Sequence, residues 1–247
     1  QAEMTRHVLA RGAHVLCEKP LGRNATEMAA CVEMAGEQGR VLKAATNHLF
    51  MPSVDIALAR IGEGLLGSLS AIEATVGHNR GAAFEGWRQD IARSGGGALR
   101  DNGAHVLFVA CQALRLQGDE FAEVLSCQLQ RPSTTVDWDA RVAFRSRTGT
   151  EVKLHASWML SPDYVFEVTF RGEHGCLHVC GPARLTHEPN GAEPSAVELP
   201  DSGGLSSWLT DTREFIDEIQ GLAAPALSLS EALRCMTMVD QLYAHGR

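Results

Sequence analysis

No apolar run in the 247 residues approaches the roughly 20 that a membrane-spanning helix needs, and no charged-then-apolar segment marks a signal peptide. Basic charge is short: 22 Lys and Arg stand against 30 Asp and Glu, a net charge of −8. Nucleic-acid binding needs a basic face to neutralise phosphates, so neither a nucleic acid nor a membrane is expected as a partner. The seven cysteines are odd in number and scattered, which excludes a regular disulfide framework. Reduced thiols in a cytoplasmic protein are the expected reading. No serine sits in a G-x-S-x-G elbow and no cysteine lies in a nucleophile motif, so a hydrolase has little support. The chain opens on Gln1 rather than Met, which is expected of a processed, trimmed or fragmentary sequence. What is present is ordinary for a globular protein, with 45% hydrophobic and 21% charged residues. The length allows one large domain or two modest ones.

Residues 1 to about 46 read helix, strand, helix, strand. Gly12 ends a first helix over Ala2–Ala10, and His14–Cys17 is a short buried strand. Asn24 is an N-cap with Glu27 three residues on, and Gly39 stops the helix Ala25–Gln38. Val41–Thr46 is the next strand. Strand, helix and strand with short links make a βαβ unit and a parallel sheet. A helix over Pro52–Ile61, a strand over Leu69–Gly77, a loop over 79–94 and a helix over Ala98–Leu114 follow. Strands at Ala122–Leu129, Trp138–Arg145, Glu151–Trp158, Tyr164–Arg171 and Cys176–Val179 fit an antiparallel sheet. Thr148-Gly149 and the Gly172–Gly175 stretch mark its hairpin turns. Residues 181–204, rich in Pro, Gly and Ser, read as a long exposed loop. Helices over Ser207–Leu222 and after Ser228, with Glu231 completing a capping box, close the chain.

Two motif-like patterns have plain explanations. Gly62-Glu63-Gly64-Leu65-Leu66-Gly67 matches G-x-G-x-x-G in letters, but a helix precedes it and a strand follows. Phosphate binding needs the reverse order, so this is a helix stop and a turn. Cys176, His178 and Cys180 alternate on one strand face, yet i and i+4 on a strand lie about 13 Å apart. One zinc, with Zn–S near about 2.3 Å, does not bridge them. No metal site is expected.

The residues suited to chemistry cluster in two stretches. In Ala13-His14-Val15-Leu16-Cys17-Glu18-Lys19-Pro20, Lys19 follows a strand's carboxyl end, where open α/β sheets bind ligands. Pro20 forces the chain out of the sheet. A surface lysine paired with Glu18 fits the position equally well. In Gly95-Gly96-Gly97-Ala98-Leu99-Arg100-Asp101-Asn102-Gly103-Ala104-His105, Asp101 and His105 are spaced i, i+4 and share a helix face. A carboxylate beside an imidazole orients the ring and raises its basicity, as a general base requires. The three glycines permit close backbone approach to a ligand. A helix-start charge and a buried structural histidine remain the alternative. Trp87-Arg88 offers a stack or clamp, and Asn47-His48 ends the next strand; each signal is weak alone.

Together these stretches resemble the Gfo/Idh/MocA family, the glucose–fructose oxidoreductase and inositol dehydrogenase group. Val15–Leu21 looks like its E-K-P segment, and Gly95–His105 like its G-G-G-x-x-x-D-x-G-x-H segment. Their order, the strand-rich second half and Glu214–Ile219 agree. The resemblance implies an α/β fold: the C-terminal remnant of a Rossmann domain (residues 1–46), then an α+β substrate-binding domain (47–247) with a large, mostly antiparallel open sheet. The last helices would pack back on the Rossmann part. It implies an oxidoreductase moving a hydride between NAD or NADP and a hydroxyl-bearing carbon of a sugar, cyclitol or related small molecule. Lys19 would hydrogen-bond the reacting oxygen, His105 would be its acid/base, and Asp101 would orient or relay. Glu18, Lys19, Pro20 and Trp87-Arg88 would touch the cofactor. Phe108 stands where relatives often carry an aspartate, three residues after the histidine. The glycine fingerprint and ribose-binding acid of the family are expected upstream of Gln1, so this sequence would not hold NAD(P) firmly alone. A homo-oligomer through the open sheet is expected. The alternative is a catalytically inactive truncated relative serving as a binding or oligomerisation module.

Overall fold

The computed structural model describes residues 1–79, 86–131, 135–199 and 205–246. The chain starts with α1 (Ala2–Leu9), β1 (Val15–Cys17), α2 (Ala25–Gln38) and β2 (Leu42–Ala44). The Asn24 side chain accepts the Glu27 N–H at 2.8 Å, and Gly39 takes the left-handed φ of 58° that ends α2. β1 and β2 pair in parallel, Val15 opposite Leu42 and Cys17 opposite Ala44, as a βαβ unit demands.

A 3₁₀ turn (Asn47–Phe50) leads to α3 (Pro52–Gly62) and β3 (Leu69–Gly77). The stretch expected to be a loop at 79–94 holds a 3₁₀ turn at Gly86–Gln89 and a single helical turn, α4 (Ile91–Ser94); residues 80–85 of that expectation lie outside the described residues. Asp90 caps α4 by accepting the Ala92 N–H at 2.9 Å, a local bond that alternating hydropathy does not reveal. After α5 (Ala104–Leu116) come β4 (Phe121–Gln130), β5 (Asp139–Ser146), β6 (Glu151–Ser157), β7 (Val165–Gly172) and β8 (Gly175–Cys180).

One expectation fails. Of residues 181–204, expected to be one long loop, the described part contains β9 (Arg184–Pro189) and β10 (Ser195–Glu198), and residues 200–204 lie outside the described residues. β9 lies on β8 and β10 on β9, both antiparallel, so the ladder extends to a sheet edge. Only Leu185 of β9 is buried, so the ladder rather than an apolar stripe holds these strands. The eight strands run in the order β10-β9-β8-β7-β3-β6-β5-β4. Every neighbouring pair is antiparallel except β3 with β6, which run parallel.

One face of this sheet packs on α3 and α5, burying Ile72, Phe144, Phe170 and Leu107. The other face carries Glu73, Arg141, Lys153 and Glu167, which remain exposed as alternation along each strand requires. The end helices α6 (Leu205–Ile219) and α7 (Leu229–His245) return to the N-terminal unit. α7 starts on a full capping box between Ser228 and Glu231 and packs on α2, where Asp240 accepts the Ala25 N–H at 2.7 Å.

Lys43, in the middle of β2, ties α6 down. Its amine is 4% exposed and pairs with Asp211 at 3.0 Å and with Glu214. Asp211 also accepts the Thr46 N–H at 3.0 Å, and Glu214 accepts the Ala226 N–H at 2.6 Å. Removing one member of a buried ion cluster strands the others without compensation. Lys43→Ala is therefore expected to cost roughly 3–5 kcal/mol in chemical denaturation. Combining Lys43→Met with Asp211→Asn and Glu214→Gln should recover much of that loss.

Candidate active site

The glycine stretch begins as a joint. Asp137 is fully buried, and its carboxylate accepts the N–H groups of Gly97 at 3.0 Å and Leu99 at 2.8 Å and the Tyr243 hydroxyl at 2.6 Å. Its carbonyl takes the Ala98 N–H at 2.8 Å. Gly95, Gly96 and Gly97 lie against Arg23, Tyr243 and Asp137 respectively, too close for any Cβ. The glycines thus serve packing between chain segments, where the sequence suggested an open approach for a ligand.

From this joint the chain makes a π-turn (Leu99–Gly103) before α5. Such wide turns often occur at functional sites. This one alters the expected i, i+4 geometry. The Asp101 carboxylate faces Lys19, with Nζ at 3.0 Å from Oδ1, and Lys19 also donates to the Asp101 carbonyl at 2.5 Å. Nδ1 of His105 is buried without a hydrogen-bond partner among the described residues.

The neighbour of His105 is His48, with ring centroids 3.6 Å apart and planes inclined by 31°. His48 sits in the 3₁₀ turn after β2, its Nδ1 on Asn47 Oδ1 at 3.0 Å and its Nε2 on the Tyr164 hydroxyl at 2.9 Å. Burial pushes the His48 imidazole down to about 3, with the Lys19 charge adding to it. Burial, then Lys19 and His48, hold His105 well below the usual imidazole range. Glu18 is raised by burial, partly offset by Lys19.

Lys19 follows β1 directly, and the Lys19–Pro20 peptide bond is cis. Lys19, Asp101 and His105 face one cleft of about 1400 Å³, together with Glu18, Pro20 and the Trp87-Arg88 pair, whose guanidinium lies 4.7 Å from the indole centroid. His78, Trp158, Tyr164 and Trp208 also line it. Sequence reasoning missed these, because no motif marks them and each comes from a different element. His48 gave only its place at a strand end as a signal. Phe108 is buried in the apolar core behind α5 and does not reach the cleft. Among the described residues no group of three His, Cys, Asp or Glu side chains is arranged to hold a metal, and no helix is long and apolar enough to cross a membrane.

The two buried histidines make stability depend on pH. Each binds a proton more readily in the unfolded chain, near about 6.5, than in the fold. Stability is thus fully present above that value and falls as pH drops through the window between about 6.5 and the depressed folded values. A falling stability from pH 7 to pH 5 is expected, in the direction of both shifts. Denaturation midpoints across pH 5–8 measure it, and His48→Phe should flatten the slope.

A parallel βαβ piece that delivers a lysine from a strand end, facing a π-turn on a large open sheet, defines an α/β protein with a Rossmann-type N-terminal unit. The family model described as "Oxidoreductase family, NAD-binding Rossmann fold" matches residues 1–46, and the "GFO/IDH/MocA C-terminal domain" matches residues 56–178. The chain belongs to the Gfo/Idh/MocA family. It is 35% identical over 130 residues to trans-1,2-dihydrobenzene-1,2-diol dehydrogenase of Oryctolagus cuniculus, a match covering 52% of this chain and 37% of that protein. It is 30% identical over 112 residues to levoglucosan dehydrogenase of Pseudarthrobacter phenanthrenivorans, covering 44% and 29%. The matches thus span only about a third of the length of these curated relatives. Among solved structures, levoglucosan dehydrogenase in complex with NADH and L-sorbose superimposes with a TM-score of 0.89 at 18% identity, over 99% of this chain and 74% of that one. Aldose-aldose oxidoreductase from Caulobacter crescentus, complexed with glycerol, gives 0.87 at 19% identity, over 100% and 73%.

Proposed function

We propose that this chain carries the catalytic side of an NAD(P)-dependent oxidoreductase acting on a hydroxyl-bearing carbon of a sugar, cyclitol or cyclic diol. The observation that carries the reading is the convergence of Lys19 and His105 on one cleft at the carboxyl ends of β1 and β2, the position where open α/β sheets bind ligands. The nicotinamide end of the cofactor suits the wall formed by Glu18, Lys19 and Pro20, with Trp87-Arg88 opposite. The unpartnered, desolvated imidazole suits a reacting oxygen. When bound, the nicotinamide supplies the hydride acceptor.

The chain's own residues handle the proton. Lys19 has three N–H donors, of which Asp101 takes two, and the third is left for the substrate oxygen. His105 is neutral at neutral pH, so its cleft-facing nitrogen accepts the hydroxyl proton. Asp101 holds the lysine in place. Relatives named for levoglucosan and for a dihydrodiol support a cyclic substrate with vicinal oxygens. A dimer through the outer sheet face belongs to the same reading.

The test uses the protein as expressed from its own reading frame. NAD⁺ and NADP⁺ reduction is followed by absorbance against a panel of pyranoses, anhydrosugars, cyclitols and cyclic diols. Turnover of at least one ring-bearing alcohol is expected. Binding of NADH, seen by fluorescence, without turnover of any panel member would overturn the reading.

A further inference from the structure

We propose that His48, clamped by Asn47 and Tyr164, is a positioning residue that fixes the His105 ring and disfavours its protonation. The inference rests on the oxidoreductase reading only for its kinetic consequence; its structural content stands on the ring pair itself.

The clamp defines the state of His48. Asn47 Oδ1 is an acceptor, so His48 Nδ1 carries the hydrogen and donates it at 3.0 Å. Nε2 is then left with its lone pair, which accepts the Tyr164 O–H at 2.9 Å. Both nitrogens are satisfied in the neutral ring, and a second proton would displace the tyrosine's donor. Tyr164 meets His78 edge-on, centroids 5.5 Å apart, and Phe166 packs against His48 at 5.0 Å. His48 is thus a rigid neutral plate, and a plate 3.6 Å from the His105 ring allows it little tilt.

Lys19 and His48 both act to keep His105 neutral. Lys19 approaches from the β1 end, and His48 stacks from the 3₁₀ turn. Tyr164, from the β7 end, bonds His48, and His78, from the β3 end, packs on Tyr164. Asp101, on the π-turn before α5, is a carboxylate that Lys19 already engages. Of these influences His48 is the one whose removal leaves the lysine–aspartate pair untouched.

Imidazole nitrogen NMR reads the proposal without turnover, with His105→Gln assigning the resonance. In the wild type His105 stays neutral down to pH 5. In His48→Asn it should titrate at least about one pH unit higher than in the wild type, because the stacked plate is gone and water enters. His48→Phe keeps a ring but loses both clamp bonds, and an intermediate titration is expected. This variant decides the matter should the asparagine variant not fold. If catalysis proceeds as proposed, the acid limb of kcat/KM moves up in parallel, with kcat falling about tenfold and KM changing little. An unchanged His105 titration in a folded His48 variant would overturn the proposal, even if melting were lowered. A shifted titration in a protein that turns over no alcohol would uphold it and count against the oxidoreductase reading instead.

Discussion

Alanine at Gly97 is expected to leave almost no folded protein. A Cβ there would meet the Asp137 carbonyl oxygen, with the backbone carbon and nitrogen of the same residue each 2.7 Å away. Backbone cannot rotate aside as a side chain does. Asp137 has no room to retreat either, because its carboxylate is bonded to Gly97, Leu99 and Tyr243 and its carbonyl to Ala98. Relief requires breaking this knot, which joins the π-turn, the start of β5 and α7. A cost above roughly 5 kcal/mol is expected, enough to exhaust the stability of an ordinary domain. Gly36 is the control. It lies within α2, has nothing within 4 Å of the place a methyl group would take, and needs no left-handed conformation. Gly36→Ala should stabilise by about 0.5–1 kcal/mol through helix propensity. Soluble yield and denaturant midpoints for the two variants should move in opposite directions. A Gly97→Ala midpoint close to wild type would mean that the knot yields more easily than its bonding indicates.

The contrast between these glycines shows what the sequence makes legible. Helix α2 was readable to the residue because its start and stop are local: Asn24 bonds three residues ahead and Gly39 turns left-handed. β3, over Leu69–Gly77, was readable because one buried face imposes period two. The hairpins at Thr148-Gly149 and Gly172–Gly175 announced themselves by composition. β9 and β10 did not, since edge strands are held by ladder bonds and carry little apolar pattern. At the site, Lys19 was placed by the proline that ends its strand, and Asp101 and His105 by spacing. The π-turn that carries Asp101 was not legible, because no residue type demands one. Tyr164, His78 and Asp137 were invisible for another reason: each acts across long stretches of sequence, and nothing beside it in the chain says so.

The second large effect concerns Lys19. Its side chain is 11% exposed, and its aliphatic stem is packed between the β1 end and the π-turn. Methionine matches that stem and keeps the packing, while removing every N–H. The Asp101 carbonyl and carboxylate lose a donor, but the carboxylate is 37% exposed, so water replaces part of what is lost. Lys19→Met should therefore remain folded, within about 1–3 kcal/mol of wild type. Turnover is another matter. The donor to the substrate oxygen disappears at the atom where negative charge develops as the hydroxyl proton leaves. A fall of about 10²–10³ in kcat is expected, the scale for removing one charge-stabilising donor. Lys19 also contributes to holding His105 low. The acid limb of kcat/KM should consequently move to higher pH in the same variant, although the base itself is unaltered. These two consequences separate a catalytic lysine from a merely structural one. A lysine that only tied Asp101 in place would, once replaced, lower stability without displacing the pH profile, and a substituent that restores packing would restore rate. Retention of turnover within about tenfold, with an unmoved acid limb, would remove Lys19 from the chemistry and leave His105 as the sole group acting on the oxygen.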